Sequence, residues 1–120
     1  PTVLVGHSYG GAVISETGTN TKVSGLVYVA ARAPEAGEDF AALTKTFPRT
    51  PASRGTIHQG GFARLSEDAF TKYFVGDLPT VKARTLYAVQ TPASDALFTV
   101  KTTAAAWHDK PRGTLYLKTI

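Results

Sequence analysis

Val3-Leu4-Val5-Gly6-His7-Ser8-Tyr9-Gly10-Gly11-Ala12-Val13-Ile14 (VLVGHSYGGAVI, residues 3–14) is the stretch on which the fold turns. Thr2 to Val5 is a short apolar, β-branched run of the kind a strand buried in a parallel sheet shows, and it breaks at Gly6. Beyond Gly10-Gly11, the run Ala12-Val13-Ile14-Ser15-Glu16 reads as a helix that ends near Gly18-Thr19-Asn20. Val23 to Ala30 (VSGLVYVA) is a second apolar run rich in β-branched and aromatic residues, hence a second buried strand. Strand, helix and strand within about thirty residues make one βαβ unit, with parallel pairing and a right-handed crossover.

Between the first strand and the helix lies Gly6-His7-Ser8-Tyr9-Gly10, a G-x-S-x-G sequence. Its spacing has a steric reason. A serine on a sharp strand-to-helix turn needs tiny neighbours two residues to either side, where strand and helix cross. The helix then directs its N-terminal N–H groups towards the serine, which favours negative charge developing on a tetrahedral intermediate. The expected roles are Ser8 as nucleophile, the backbone N–H of Tyr9 as one half of an oxyanion hole, and Gly6 and Gly10 as the elbow glycines. Three fixed residues at about 7% each occur by chance in roughly 4% of chains this size, so the pattern alone decides little. The strand before it, the small-residue helix after it and the second strand supply the context the motif requires.

From Arg32 to about Pro111 the patterning weakens, with Pro34, Gly37, Pro48 and Pro51 as punctuation and Gly55 to Gly61 reading as a loop. Ser66 is a candidate N-cap for a helix whose Ala69, Phe70, Tyr73 and Phe74 form an apolar face. Asp77-Leu78-Pro79-Thr80 restarts a helix through Val81, Ala83, Leu86 and Val89, with Pro79 in its first turn, and Pro92 ends it. A short helix is expected between Ser94 and Trp107, and residues 113–120 (GTLYLKTI) read as a third strand. The expected division is a core over residues 1–31, a helical cap inserted over 32–110 and a return strand over 111–120. The fold class is therefore α/β, with parallel core strands.

Composition narrows the function classes. With 42% hydrophobic and 18% charged residues, the 120-residue chain is ordinary globular material. Its net charge of +4 comes from scattered Lys and Arg, not from the basic stripe of a nucleic-acid binder, so no nucleic-acid partner is expected. The absence of cysteine excludes disulfides, thiolate metal sites and a cysteine nucleophile, and leaves the compartment unread; a soluble cytoplasmic chain is the default. No apolar run approaches the roughly 18 residues of a membrane span. No His or carboxylate pair shows ligand spacing, so neither metal nor cofactor is expected. The chain begins at Pro1 and contains no methionine, which suggests that a natural N-terminus, with any signal peptide, precedes it.

VLVGHSYGGAVI followed by VSGLVYVAARAPEAGE (residues 3–38) resembles the α/β-hydrolase superfamily, and within it small esterase-like members. SEDAFTKYF (66–74), Asp77-Leu78-Pro79 and AWHDKP (106–111) are similar to segments of the same members, in the helical cap and the approach to a late core strand. The resemblance implies a serine hydrolase acting on a small ester-like substrate through an acyl-enzyme on Ser8. The nucleophile would be activated by a histidine that a carboxylate orients, and the cap would roof the pocket.

The same resemblance implies a triad in the order Ser, acid, His. Residues 2–5, 24–30 and 113–119 then correspond to the fifth, sixth and seventh core strands. On that mapping the acid and the histidine fall beyond Ile120, and the second oxyanion donor falls before Pro1. His7 is a motif residue rather than the base. His58 reads as a loop histidine and His108 as a surface or capping residue, while Asp95 and Asp109 read as helix-end or loop carboxylates. The chain alone is thus expected to be a poor catalyst, with exposed sheet edges that favour marginal stability or self-association. The alternatives are a binding relative that keeps the elbow as a structural turn, or another elbow chemistry such as thioester hydrolysis, acyl transfer or hydroxynitrile cleavage.

Overall fold

In the computed structural model, which describes residues 1–116, the first apolar run forms strand β1 (Thr2–His7) and the second forms β2 (Val23–Val29). Helix α1 (Gly10–Thr17) connects them. β2 is central: it pairs in parallel with β1 on one side and with β6 (Arg112–Leu115) on the other. The third strand expected over 113–120 therefore begins one residue earlier, at Arg112. Of that expectation, residues 117–120 lie outside the described residues.

One face of this sheet carries the core. Leu26 and Tyr28 of β2 pack with Ile14 of α1, Val23 and Ala106, and Leu4, Ala31 and Trp107 close around them. Tyr28, 1% exposed, brings a hydroxyl into that apolar setting, where an unpaired polar group is costly. It is satisfied through Ser15: Ser15 Oγ donates to Gly11 O at 2.8 Å and lies 2.8 Å from Tyr28 Oη. Because the single Ser15 proton is spent on Gly11, Tyr28 is the donor of the second bond. The opposite face is less covered, and Val3, Val5 and Leu115 stay exposed on it.

Residues 32–39 and 101–110 were expected within the insertion, but they pack with the core. Trp107 Nε1 donates to Pro34 O at 2.9 Å, His108 Nε2 lies 2.8 Å from Glu35 Oε2, and Gly37 N–H donates to Thr102 O at 2.8 Å. Glu16 on α1 accepts from the hydroxyl and N–H of Thr103 and from Ala104 N–H, and Lys110 Nζ donates to Val23 O at 2.8 Å. The chain accordingly separates into a unit made of residues 1–39 with the segment from Lys101 onward, and a second unit, Phe40–Val100. These contacts join residues far apart in the chain, which local patterning does not reveal.

The second unit holds short helices α2 (Phe40–Thr44), α3 (Pro51–Arg54) and α4 (Glu67–Ala69), a π-helical turn (Phe70–Phe74) and α5 (Thr80–Ala88). It is not purely helical. β3 (Thr56–Gln59), β4 (Phe62–Leu65) and β5 (Ala93–Ser94) form an antiparallel sheet in that order. The presumed loop at 55–61 is thus a strand and a two-residue hairpin turn, in which Gly60 and Gly61 adopt φ +59° and +80°. Paired positive φ is the signature of the hairpin turn whose twist suits flanking strands.

Ser66 caps α4 as expected, its Oγ accepting from Ala69 N–H at 3.2 Å. Ala69 and Phe70 are buried behind it, whereas Tyr73 and Phe74 are exposed. On α5 only Ala83 is buried, with Val81 80% and Val89 70% exposed. Val81 and Ala83 stand about 200° apart on the helix, so the four apolar residues never shared a face. In place of the helix expected between Ser94 and Trp107 are two 3₁₀ turns, Asp95–Phe98 and Ala106–His108.

The hydrogen bonds from Thr103 and Ala104 hold the Glu16 carboxyl below the ordinary glutamate pKa. A depressed folded-state pKa stabilises the fold above the unfolded value, about 4.3, and that contribution disappears as pH falls towards the lowered one. Thermal melts from pH 7 to pH 3 are expected to show acid destabilisation that Glu16→Gln reduces, with the variant less stable than wild type at pH 7. Identical profiles for the two proteins would remove Glu16 from the acid response.

Candidate active site

β1 ends at His7, and the chain reverses within two residues before α1 begins at Gly10. Ser8 makes the reversal with φ +53°, a left-handed conformation that non-glycine residues rarely adopt. The surroundings impose it from both sides. Ser8 N–H donates to Val29 O of β2 at 3.3 Å, and Ser8 O accepts from Gly11 N–H at 3.1 Å. The side chain is left exposed, and its Oγ has no hydrogen-bond partner among the described residues.

The glycines divide the steric work differently from the expectation. A Cβ on Gly6 would sit 2.5 Å from Gly10 O, so strand and helix touch there. A Cβ on Gly11 would sit 2.0 Å from Arg32 O. At Gly10, by contrast, nothing lies within 4 Å of a Cβ. Within the elbow, Gly6 and Gly11 are the positions that demand glycine, and the motif's second glycine meets no neighbour. Tyr9, at the helix N-cap, is in the αR region and makes no side-chain cap. Its N–H has no acceptor among the described residues and stands beside Ser8 at the positive end of α1.

A second strained residue accompanies Ser8. Ala30, just past β2, has φ +42° and donates its N–H to Leu115 O at 2.9 Å. The apolar run through Ala30 gave no sign of it; the strand ends at Val29. Two non-glycine residues with positive φ thus follow the carboxyl ends of neighbouring parallel strands, the edge at which open α/β sheets bind ligands.

The model of the alpha/beta hydrolase family matches residues 1–119. The chain belongs to the alpha/beta hydrolase family. No curated protein matches it. In this alpha/beta hydrolase the G-x-S-x-G stretch lies between a strand of the parallel sheet and helix α1.

Two of the three histidines of the alpha/beta hydrolase are paired with carboxylates. His7 ends β1 opposite Val29 and is exposed. His58, on β3, lies 2.9 Å through Nδ1 from Asp95 Oδ1, so this residue is in a strand and not a loop. His108 joins Glu35 and stacks on Trp107 with ring centroids 3.9 Å apart. Asp95 opens a 3₁₀ turn and Asp109 closes one, as expected of turn-end carboxylates. Among the described residues no three His, Asp or Glu side chains gather as metal ligands would, and no helix is long and apolar enough to cross a membrane.

Gly6→Ala and Gly11→Ala are each expected to lower stability by about 1–3 kcal/mol in urea denaturation, because backbone must move to admit the methyl group. Gly10→Ala should stay within about 0.5 kcal/mol of wild type; equal losses at all three positions would contradict the contacts described. Ser8→Gly should be about 1 kcal/mol more stable than Ser8→Ala, since glycine alone accepts positive φ without strain. Equal midpoints for those two variants would show the turn to be unstrained.

Proposed function

We propose that this alpha/beta hydrolase is a serine esterase in which Ser8 attacks the carbonyl carbon of a small ester. Its support is one observation: an exposed serine locked at φ +53° on the junction between a parallel strand and a helix N-terminus. Attack forms the Oγ–carbonyl carbon bond and places negative charge on the carbonyl oxygen. The free N–H of Tyr9 donates to that oxygen and the positive end of α1 adds to the effect. Collapse breaks the ester C–O bond, the alcohol leaves with a proton, and water then hydrolyses the acyl-Ser8 ester. Gly6 and Gly10 serve this reading as elbow glycines, Gly6 by contact and Gly10 by leaving open the space before α1.

The proton lost by Ser8 has no imidazole acceptor bonded to Ser8 among the described residues, and a serine without a base is a weak nucleophile. The chain on its own is therefore a slow catalyst. The test is covalent. The 120-residue chain should react slowly with a fluorophosphonate, giving one adduct that peptide mass spectrometry places on Ser8, and Ser8→Ala should abolish it. Turnover of p-nitrophenyl acetate should stay within about tenfold of the Ser8→Ala background. An adduct elsewhere, or none after prolonged exposure, defeats Ser8 as nucleophile; fast turnover that depends on Ser8 defeats the absence of a base.

A further inference from the structure

Two adjacent glycines, Gly10 and Gly11, open helix α1 immediately after Ser8. Glycine is the least stiff residue a helix can begin with. At Gly11 it cannot be exchanged for a stiffer one, since a Cβ there would lie 2.0 Å from Arg32 O. The turn that presents the serine therefore has a pliable neighbour, and something else must fix its direction.

Two buried hydroxyls meet behind that neighbour. Ser15 on α1 is 0% exposed and Tyr28 on β2 is 1% exposed. Tyr28 Oη donates to Ser15 Oγ at 2.8 Å, and Ser15 Oγ donates to Gly11 O at 2.8 Å. Gly11 N–H in turn donates to Ser8 O at 3.1 Å. A serine bond to the carbonyl four residues back often bends a helix. Here the far end of the bond is anchored in the sheet, because Tyr28 stands beside Gly6 in the strand register. The first turn of α1, which carries the Tyr9 N–H at its start, is thus tied to β2 through side chains as well as packing.

Stability does not account for the pair. Phenylalanine at 28 and alanine at 15 would leave no polar group stranded, since Gly11 O keeps the backbone bond that an α-helix gives it. Replacing both partners of a buried hydrogen bond by apolar groups is often neutral. What the hydroxyls add is direction. We infer that Ser15 and Tyr28 are positioning residues for Ser8: they fix the tilt of the first turn of α1 against β2, and with it the placement of Ser8 Oγ relative to the Tyr9 N–H. The inference rests on Ser8 as the nucleophile. A displacement of about 1 Å by a change remote from the chemistry can slow a reaction about a hundredfold, so a small tilt is enough to matter.

The experiment labels the full chain with a fluorophosphonate over a range of concentrations, which separates the limiting rate from the half-saturating concentration. In the Ser15→Ala, Tyr28→Phe double variant the limiting rate should fall about tenfold and the half-saturating concentration stay within about twofold of wild type, with the urea midpoint no lower. Tyr28→Phe alone, which keeps the bond from Ser15 to Gly11, should fall between the two. Leu26→Val thins the same buried layer without touching a hydroxyl; it should lower the urea midpoint and leave the limiting rate within about twofold of wild type. Amide exchange supplies a readout that needs no chemistry at Ser8. Gly11 N–H should exchange about tenfold faster in the double variant, as expected of a loosened turn, while Gly18 N–H, bonded to Ile14 O at the other end of α1, should not change. A wild-type limiting rate in the double variant overturns the inference, and so does an equal loss in Leu26→Val. A wild-type chain that takes no label defeats Ser8 as nucleophile instead. Gly11 exchange then decides on the pair alone: faster exchange in the double variant upholds it, and unchanged exchange overturns it.

Discussion

Gly6 and Gly11 bring strand and helix, and helix and the chain after β2, closer than any side chain would permit. The conformation of Ser8 depends on this closeness. With α1 seated that near the sheet, residues 7–9 have room for one reversal, and the two backbone hydrogen bonds at Ser8 leave its φ no alternative. Tyr28 secures the arrangement from below. It stands beside Gly6 in the strand register, and its hydroxyl reaches through Ser15 to the carbonyl of Gly11. One buried chain of hydrogen bonds therefore links the neighbouring strand to the first turn of the helix that follows the serine. Buried polar networks of this kind hold a single geometry because every alternative leaves a donor or acceptor unpaired.

The legible part of the sequence was the part whose structure is local. Residues 2–30 form strand, turn, helix and strand, and each leaves its period in the chain: β-branched runs, a glycine-flanked serine, small residues, then a second apolar run. Ser8 could be found because its turn, its strand and its helix are contiguous. The glycine roles could not be read from spacing alone. Gly11 is held by Arg32 O, twenty-one positions away, and nothing near Gly11 in the sequence announces that contact. The strain at Ala30 was equally silent, since alanine continues an apolar run whatever its φ.

Residues 40–100 were less legible for a different reason. Their elements are two to nine residues long, too short for periodicity to separate one face from another. The hairpin at Gly60-Gly61 did carry a signal, two adjacent glycines between β-prone stretches, which reading the region as a loop discarded. The π-helical turn carried none. It shows only in a hydrogen bond that spans five residues where four would be usual, and Gln90 is held to β4 through a bond to Leu65, twenty-five residues earlier.

The neck through which the second unit joins the first has a consequence for how the chain tolerates change. Gly37 and Thr102 are hydrogen-bonded, and the side chains of Asp39 and Lys101 meet at 3.6 Å just outside them. The two ends of the excursion are thus pinned side by side by groups that belong to the sheet unit. Closing a loop costs little more when the loop is long than when it is short. Residues 40–100 could be exchanged for another insert of quite different length without altering the span the sheet must bridge. The fold is in this sense a socket: the elbow and its three strands form the fitting, and its span does not depend on the length of the segment joining residues 39 and 101.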